Sequence, residues 1–171
     1  MMETTRGNIF RPYMFEPESD PESAQTVENR PPPQTRLQQD VSEWCTCGNC
    51  ARMSTERKNT CCKETPKVLR RMNQVLSPPN CMIDHPGLQA VCLDVYSLQN
   101  AYNIYRADYG RLRLSTQRCY RYLAYRSFVS WCWGFLGRRV RVVFPSCVVL
   151  RIRREFPEAT GSYVGFRPPL D

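Results

Sequence analysis

The placement of the cysteines constrains this chain more than any other feature. The chain has ten cysteines among 171 residues, and six of them fall between positions 45 and 81, whereas the first 40 residues have none. The amino terminus, MMETTRGNIFRPYMF, lacks the apolar core of a secretory signal peptide. Because thiols stay reduced inside the cell, we expect an intracellular, cytoplasmic protein whose clustered cysteines bind metal rather than form disulfides.

The spacing of these cysteines suits zinc. Cys47 and Cys50 form a CxxC turn in which Gly48 permits a tight backbone. The adjacent Cys61 and Cys62 do not easily bridge each other, so each thiolate can face a different ion. Six or seven thiolates exceed the four ligands of one tetrahedral zinc, which predicts a cluster of two zinc ions with shared sulfurs. Spacing alone supplies these candidate ligands: Cys45, Cys47, Cys50, Cys61, Cys62 and Cys81. Disulfides and S-palmitoylation are the alternatives.

The single histidine is a further candidate ligand. His85 lies four residues after Cys81, within reach of the same site. A histidine before a proline, here Pro86, also commonly caps a turn, so that interpretation stays open. The cysteines that fall within helical patterns are interpreted as small apolar core residues: Cys92, Cys119 and Cys132.

Charge and composition divide the chain into two parts. Residues 1–40 have four arginines, seven acidic residues and six prolines, whereas the remaining residues carry a net charge of +11 and all the cysteines. The first part buries too little apolar surface to fold. We therefore predict a disordered, Pro/Glu-rich leader over residues 1–42 and one small globular domain over residues 43–171.

Hydrophobic periodicity predicts a mainly helical domain with a minor β component. Apolar residues recur at helical spacing over residues 66–76, 86–109, 116–136 and 147–156. Gly110 and Gly137 are the expected helix stops. Residues 138–144 alternate arginine with β-branched residues, which indicates a short extended segment.

The sequence lacks the usual signatures of an enzyme. It has no Gly-rich phosphate loop, no His-x-Glu pair beside the cysteines and one histidine, so neither a zinc hydrolase nor a cysteine nucleophile with a histidine base is indicated. The longest apolar run, residues 128–136, is too short to span a bilayer, so no transmembrane segment is predicted. We expect a non-catalytic zinc-binding interaction module that contacts a protein or a membrane surface. The alternative is a basic, zinc-dependent nucleic-acid-binding protein.

The order of motifs resembles a known family. The motifs are WCTCGNC (44–50), CC (61–62), CMI (81–83), AYR (124–126), PSC (145–147), RIRREFP (151–157) and GSYVGF (161–166). Together they resemble the carboxy-terminal cytoplasmic domain of the P2X purinoceptor 7 family, called the ballast domain, over about residues 43–167. The resemblance implies a compact helical domain with a regulatory role. Because the channel part of the family has no counterpart in these residues, it also implies a version without a channel of its own.

The resemblance also implies ligands for two zinc ions. The family's zinc ligands fall on six cysteines of this chain, namely Cys47, Cys50, Cys61, Cys62, Cys81 and Cys147, with Cys45 nearby. Cys147 is the ligand that spacing alone does not connect to the others.

A guanine-nucleotide pocket is implied by the resemblance as well, but the sequence departs from the family there. The residues that align with the pocket are Arg121, Tyr125, Val142 and Phe144. Tyr122 stands where a histidine is expected, Val149 where an arginine is expected and Glu158 where a lysine is expected. The loss of two cations and the gain of a carboxylate argue against phosphate binding.

Overall fold

The computed structural model describes residues 35–136 and 140–163, and their fold is helical. Five α-helices are present in these ranges: α1 (Pro66–Met72), α2 (Pro86–Leu88), α3 (Val95–Tyr109), α4 (Thr116–Trp133) and α5 (Ser146–Glu155). A π-helical segment, Gln89–Leu93, extends α2. Short 3-10 turns lie at Val41–Glu43, Glu56–Lys58, Cys62–Glu64 and Met82–Asp84.

The core lies around α4, which packs against α1, α3, α5 and the π segment. Phe128 of α4 is fully buried, as are Leu88 and Leu98 from the neighbouring helices and Ile152 from α5. Burial of one such side chain contributes about 1.5–3 kcal/mol to folding. The expectation of a small, mainly helical domain is confirmed.

The predicted long helix over residues 86–109 is interrupted, which corrects that prediction. The Asp94 amide donates to the Gln89 carbonyl at 2.8 Å, a π-type bond, and the Asp94 backbone is extended. The Asp94 carboxylate then accepts from the Ser97 amide at 3.0 Å and starts α3 as its N-cap. An aspartate therefore breaks the helix because its side chain replaces a backbone hydrogen bond.

Two other helix ends also come earlier than the sequence predicted. Helix α1 ends at Met72, where Asn73 caps it, rather than at residue 76. Helix α4 ends at Trp133 because Gly134 adopts a φ of +77°, a backbone conformation that favours glycine. Phe135 beyond it is 78% exposed instead of facing the core. The expected stop at Gly137 lies outside the described residues.

The minor β component is not found in the described part of the chain. Residues 140–144 form neither helix nor strand, and residues 138–139 lie outside the described ranges. Most of the predicted leader, residues 1–34, and the residues from 164 onward also lie outside them. The leader's last residues are described, and Arg36 forms an ion pair there with Glu64 of the domain.

Candidate metal centre

Seven cysteine sulfurs form two groups of four that share one member. We call the first the outer group and the second the inner group; the outer group is Cys45, Cys47, Cys50 and Cys61, and the inner group is Cys47, Cys62, Cys81 and Cys147. Within each group, all four sulfurs lie within 4.8 Å of one another. Cys47 belongs to both groups, so its thiolate is placed to bridge two ions.

The distances between sulfurs match tetrahedral zinc. The Cys47 Sγ lies 3.6 Å from the Cys45 Sγ and 3.7 Å from the Cys50 Sγ. Four sulfurs at the usual zinc–sulfur distance of about 2.3 Å are about 3.8 Å apart along each tetrahedral edge. A disulfide would need about 2.05 Å, and all ten cysteines are free thiols in this structure. The outer group therefore has sulfur–sulfur distances that fit a zinc ion, and the inner group has the donor set for a second one, with its sulfurs within 4.8 Å of one another.

The inner group gathers ligands from distant parts of the chain. Cys62 opens a 3-10 turn, Cys81 precedes another at Met82–Asp84, and Cys147 lies in the first turn of α5. The Ser146 amide, next to Cys147, donates to the Thr60 carbonyl at 2.8 Å. This bond attaches the start of α5 to the segment that leads into Cys61 and Cys62.

Polar side chains fix the backbone of Cys47, the thiol that both groups share. The Asn80 side chain donates to the Cys47 carbonyl at 3.2 Å, and Asn49 donates to the same oxygen at 3.4 Å. The Lys63 ammonium in turn donates to the Asn80 side-chain oxygen. Metal ligands are commonly oriented by such supporting bonds, which here hold Cys47 between the two groups.

A second support reaches Cys61 from the predicted leader. The Glu64 carboxylate accepts from the Cys61 amide at 3.0 Å, while the Arg36 guanidinium donates to both of its oxygens at 2.6 and 2.8 Å. Arg36 also donates to the Asn59 carbonyl at 2.8 Å. Sequence reasoning missed Arg36 because nothing in a polar, proline-rich segment marks one arginine as an anchor.

Close contact between the thiols separates their pKa values. Hydrogen bonding from Cys147 lowers the pKa of Cys81 to about 2 and that of Cys50 to about 6. The pKa of Cys147 is raised because its thiol is held as the donor to these neighbours. By contrast, burial raises the pKa of Cys132, outside the cluster, to about 12, although the nearby Arg71 charge opposes the shift. Within the cluster the pKa is therefore lowered at Cys50, Cys61 and Cys81 and raised at Cys47, Cys62 and Cys147. Because a metal cation binds the thiolate form, binding at the second set would release protons.

His85 lies outside both groups. Its Nδ1 accepts from the Gly87 amide at 2.9 Å and so caps the start of α2, and its ring packs against Trp131 at 5.5 Å between centroids. Burial lowers the pKa of its imidazole. This arrangement matches the capping role that the sequence left open. Cys45, the other additional candidate, belongs to the outer group. In the sequence, its place in a Cys-x-Cys-x-x-Cys run indicates this proximity.

The residues that align with the nucleotide pocket lie together but are already partnered. Arg121 is 2% exposed and donates to the Phe156 carbonyl at 2.9 Å and to Glu158 at 2.7 Å. Arg118 lies 3.5 Å from the same Glu158 oxygen. Tyr125 packs edge-on against Phe144 at 5.3 Å between centroids. Val142, the remaining residue that aligns with the nucleotide pocket, is half-buried and precedes α5. The carboxylate of Glu158 thus sits beside the cations that a phosphate would need.

The fold and the cluster define a class: a small helical domain with clustered cysteines in its described part. The family model described as the P2X purinoreceptor 7 intracellular domain matches residues 8–167. The chain belongs to this family, which is part of a receptor and not a catalytic family. The match begins within the predicted leader.

Two curated relatives agree with this assignment. The chain is 28% identical to mouse P2X purinoceptor 7 over 135 residues, which are 76% of this chain and 21% of the relative. It is 27% identical to the rat P2X purinoceptor 7 over 157 residues, 87% of this chain and 23% of the relative. The chain therefore spans less than a quarter of these receptors. In the ranges that the structure describes, no helix has both the length and the apolar character to cross a membrane.

Proposed function

We propose that this chain is a zinc-binding, non-catalytic interaction module that acts inside the cell. The observation that carries the proposal is the shared Cys47, which connects two groups of four thiols at distances suited to zinc. Zinc in an all-thiolate site is usually structural, because no position stays open for water or substrate. The cluster would then supply folding free energy to the domain rather than catalyse a reaction.

The composition of both groups supports a role without catalysis. Neither group includes a carboxylate or a histidine. His85 instead accepts a hydrogen bond from the Gly87 amide and caps the start of α2. A catalytic zinc site needs an open position and a general base. Because the matched part of the relatives is their intracellular domain, ion conduction is not part of the role proposed for these residues.

The arrangement of the arginines bears on the choice of partner. Arg126 lies over the rings of Tyr105 at 4.9 Å and Tyr109 at 5.4 Å, and Arg151 pairs with Glu155 at 2.9 Å. These two arginines are therefore partnered within the fold, Arg126 by aromatic rings and Arg151 by a carboxylate. We favour a protein or membrane-surface partner. Nucleic-acid binding, the alternative, rests on the net charge of +11 beyond residue 40.

The test is zinc-dependent folding of the whole chain. Cys47→Ser removes the shared sulfur and should abolish binding of both ions and most of the helical circular dichroism signal. Cys119→Ser removes a half-buried thiol outside both groups and should leave zinc content and helicity unchanged. Equal zinc content and equal melting temperatures in the two variants would contradict the proposal. Binding to duplex DNA that weakens steeply with salt would support the alternative instead.

A further inference from the structure

The two groups of thiols differ in burial. Every member of the inner group is buried, whereas Cys45 and Cys50 of the outer group are half-buried. A chelator or an acceptor protein can therefore approach an ion in the outer group from solvent. An ion in the inner group can be approached only after the surrounding helices separate.

The groups also differ in what they hold together. The outer ligands come from one irregular segment, residues 45–61, so an ion there closes a short loop. The inner ligands extend from Cys47 to Cys147, which places the first turn of α5 against the turns that follow Cys61 and Cys81. A cross-link between distant residues restricts the unfolded chain more than one between close residues.

The inner group is continuous with the core of the domain. Helix α5 packs against the 3-10 turns at Cys62–Glu64 and Met82–Asp84. Cys62 of the inner group begins the first turn, and Cys81 directly precedes the second. Val148 and Ile152 on the same helix are fully buried. Loss of an inner ion would therefore release α5 and expose apolar surface, whereas loss of an outer ion would leave these contacts in place.

We propose that the two metal positions have different functions: the inner ion is a permanent structural ion, and the outer ion exchanges with its surroundings while the domain stays folded. This inference rests on the proposed zinc binding. On exchange, the outer ion would pass to a chelating acceptor and its bonds to all four sulfurs of the outer group would break, which would leave Cys45, Cys50 and Cys61 open to another ion. Cys47 stays bound to the inner ion. The exchanging position would let the domain respond to the supply of free zinc without unfolding.

The experiment follows chelation of the zinc-loaded full chain by EDTA. Released zinc is measured with a colorimetric dye, reactive thiols with a disulfide reagent, and helicity by circular dichroism. Two phases are expected, with rates that differ by about tenfold or more. The first should release one zinc per chain and expose about three thiols without loss of helicity. The second should release the other zinc together with the helical signal.

Two single variants separate the positions. Cys45→Ser removes a ligand of the outer group alone, so this variant should fold, hold one zinc and show the slow phase only. Cys119→Ser, the control, should keep both phases. Release of both ions in one phase together with the helical signal would overturn the inference, and so would a Cys45→Ser protein that holds no zinc. A wild-type chain that holds no zinc at all would instead contradict the proposed function.

Discussion

The hydroxyl group of Ser146 bonds to both backbone groups of Ala51, 95 residues away. It donates to the Ala51 carbonyl at 2.7 Å and accepts from the Ala51 amide at 3.1 Å. Ser146 is the first residue of α5 and is fully buried, and Ala51 directly follows Cys50. The Ser146 side chain therefore connects the start of α5, which includes Cys147, to the loop that includes the CxxC turn.

Ser146→Ala should destabilise the domain measurably. The substitution leaves the Ala51 amide and carbonyl without partners in a partly buried place, which costs about 1–3 kcal/mol. Chemical denaturation of the zinc-loaded protein measures the change. Ser130→Ala, at an exposed position on α4, is the control and should alter the free energy of unfolding by less than about 0.5 kcal/mol. Equal effects of the two substitutions would contradict this role for Ser146.

The ion pair between Arg36 and Glu64 should stabilise the fold modestly. Both side chains are 33% exposed, so Arg36→Ala is expected to cost about 1 kcal/mol. Glu64→Gln keeps an acceptor for the Cys61 amide and should cost less than Glu64→Ala. Arg57→Ala, in an exposed turn, serves as the control.

The contribution of Glu64 should also depend on pH. Burial opposes ionisation of this carboxyl, but the Arg36 guanidinium and the Cys61 amide outweigh it and lower its pKa. A carboxyl with a lowered pKa stabilises the folded state above its ordinary pKa and loses this effect as the pH falls. The advantage of the wild type over Glu64→Gln should be constant above about pH 6 and should shrink as the pH falls from about 5 to about 3. A constant difference across that range would contradict the assignment.

The sequence predicted more of the site than of the helix boundaries. The CxxC turn and the Cys61–Cys62 pair marked the cluster, and the resemblance added Cys147, which local spacing does not connect to it. Bonds between distant residues left no such signal: Arg36 lies in a segment with a disordered composition, and Ser146 resembles an ordinary helix start. Periodicity located the helices but not the break at Asp94, because a capping carboxylate competes with the helix only locally.

Gly87→Ala should destabilise the protein although alanine favours helices. An added Cβ at this position would lie 2.5 Å from two ring carbons of Trp131 and 2.9 Å from His85 Nδ1. The ring must move, and overpacking of this kind costs about 1–3 kcal/mol. Trp131→Leu removes the ring, so Gly87→Ala should cost less in that background. A double-mutant cycle measures the coupling, and additive effects would contradict the predicted contact.

Glu158 should determine how this chain responds to guanine nucleotides. Because its carboxylate is bonded to the buried Arg121, guanosine diphosphate is expected to leave the melting temperature of the wild type unchanged. Glu158→Ala removes the carboxylate from Arg121, which keeps its bond to the Phe156 carbonyl, and should cost about 1–3 kcal/mol. In the milder Glu158→Gln variant, the nucleotide should raise the melting temperature. A clear increase in the wild type itself would show that Glu158 does not block the site.

The most direct test of the central claim is the zinc content of the full chain purified under reducing conditions, combined with a count of thiols before and after chelation. The two groups that share Cys47 predict close to two zinc ions per chain and seven thiols that become reactive only when zinc is removed. One ion or none, with the clustered thiols reactive from the start, would contradict it.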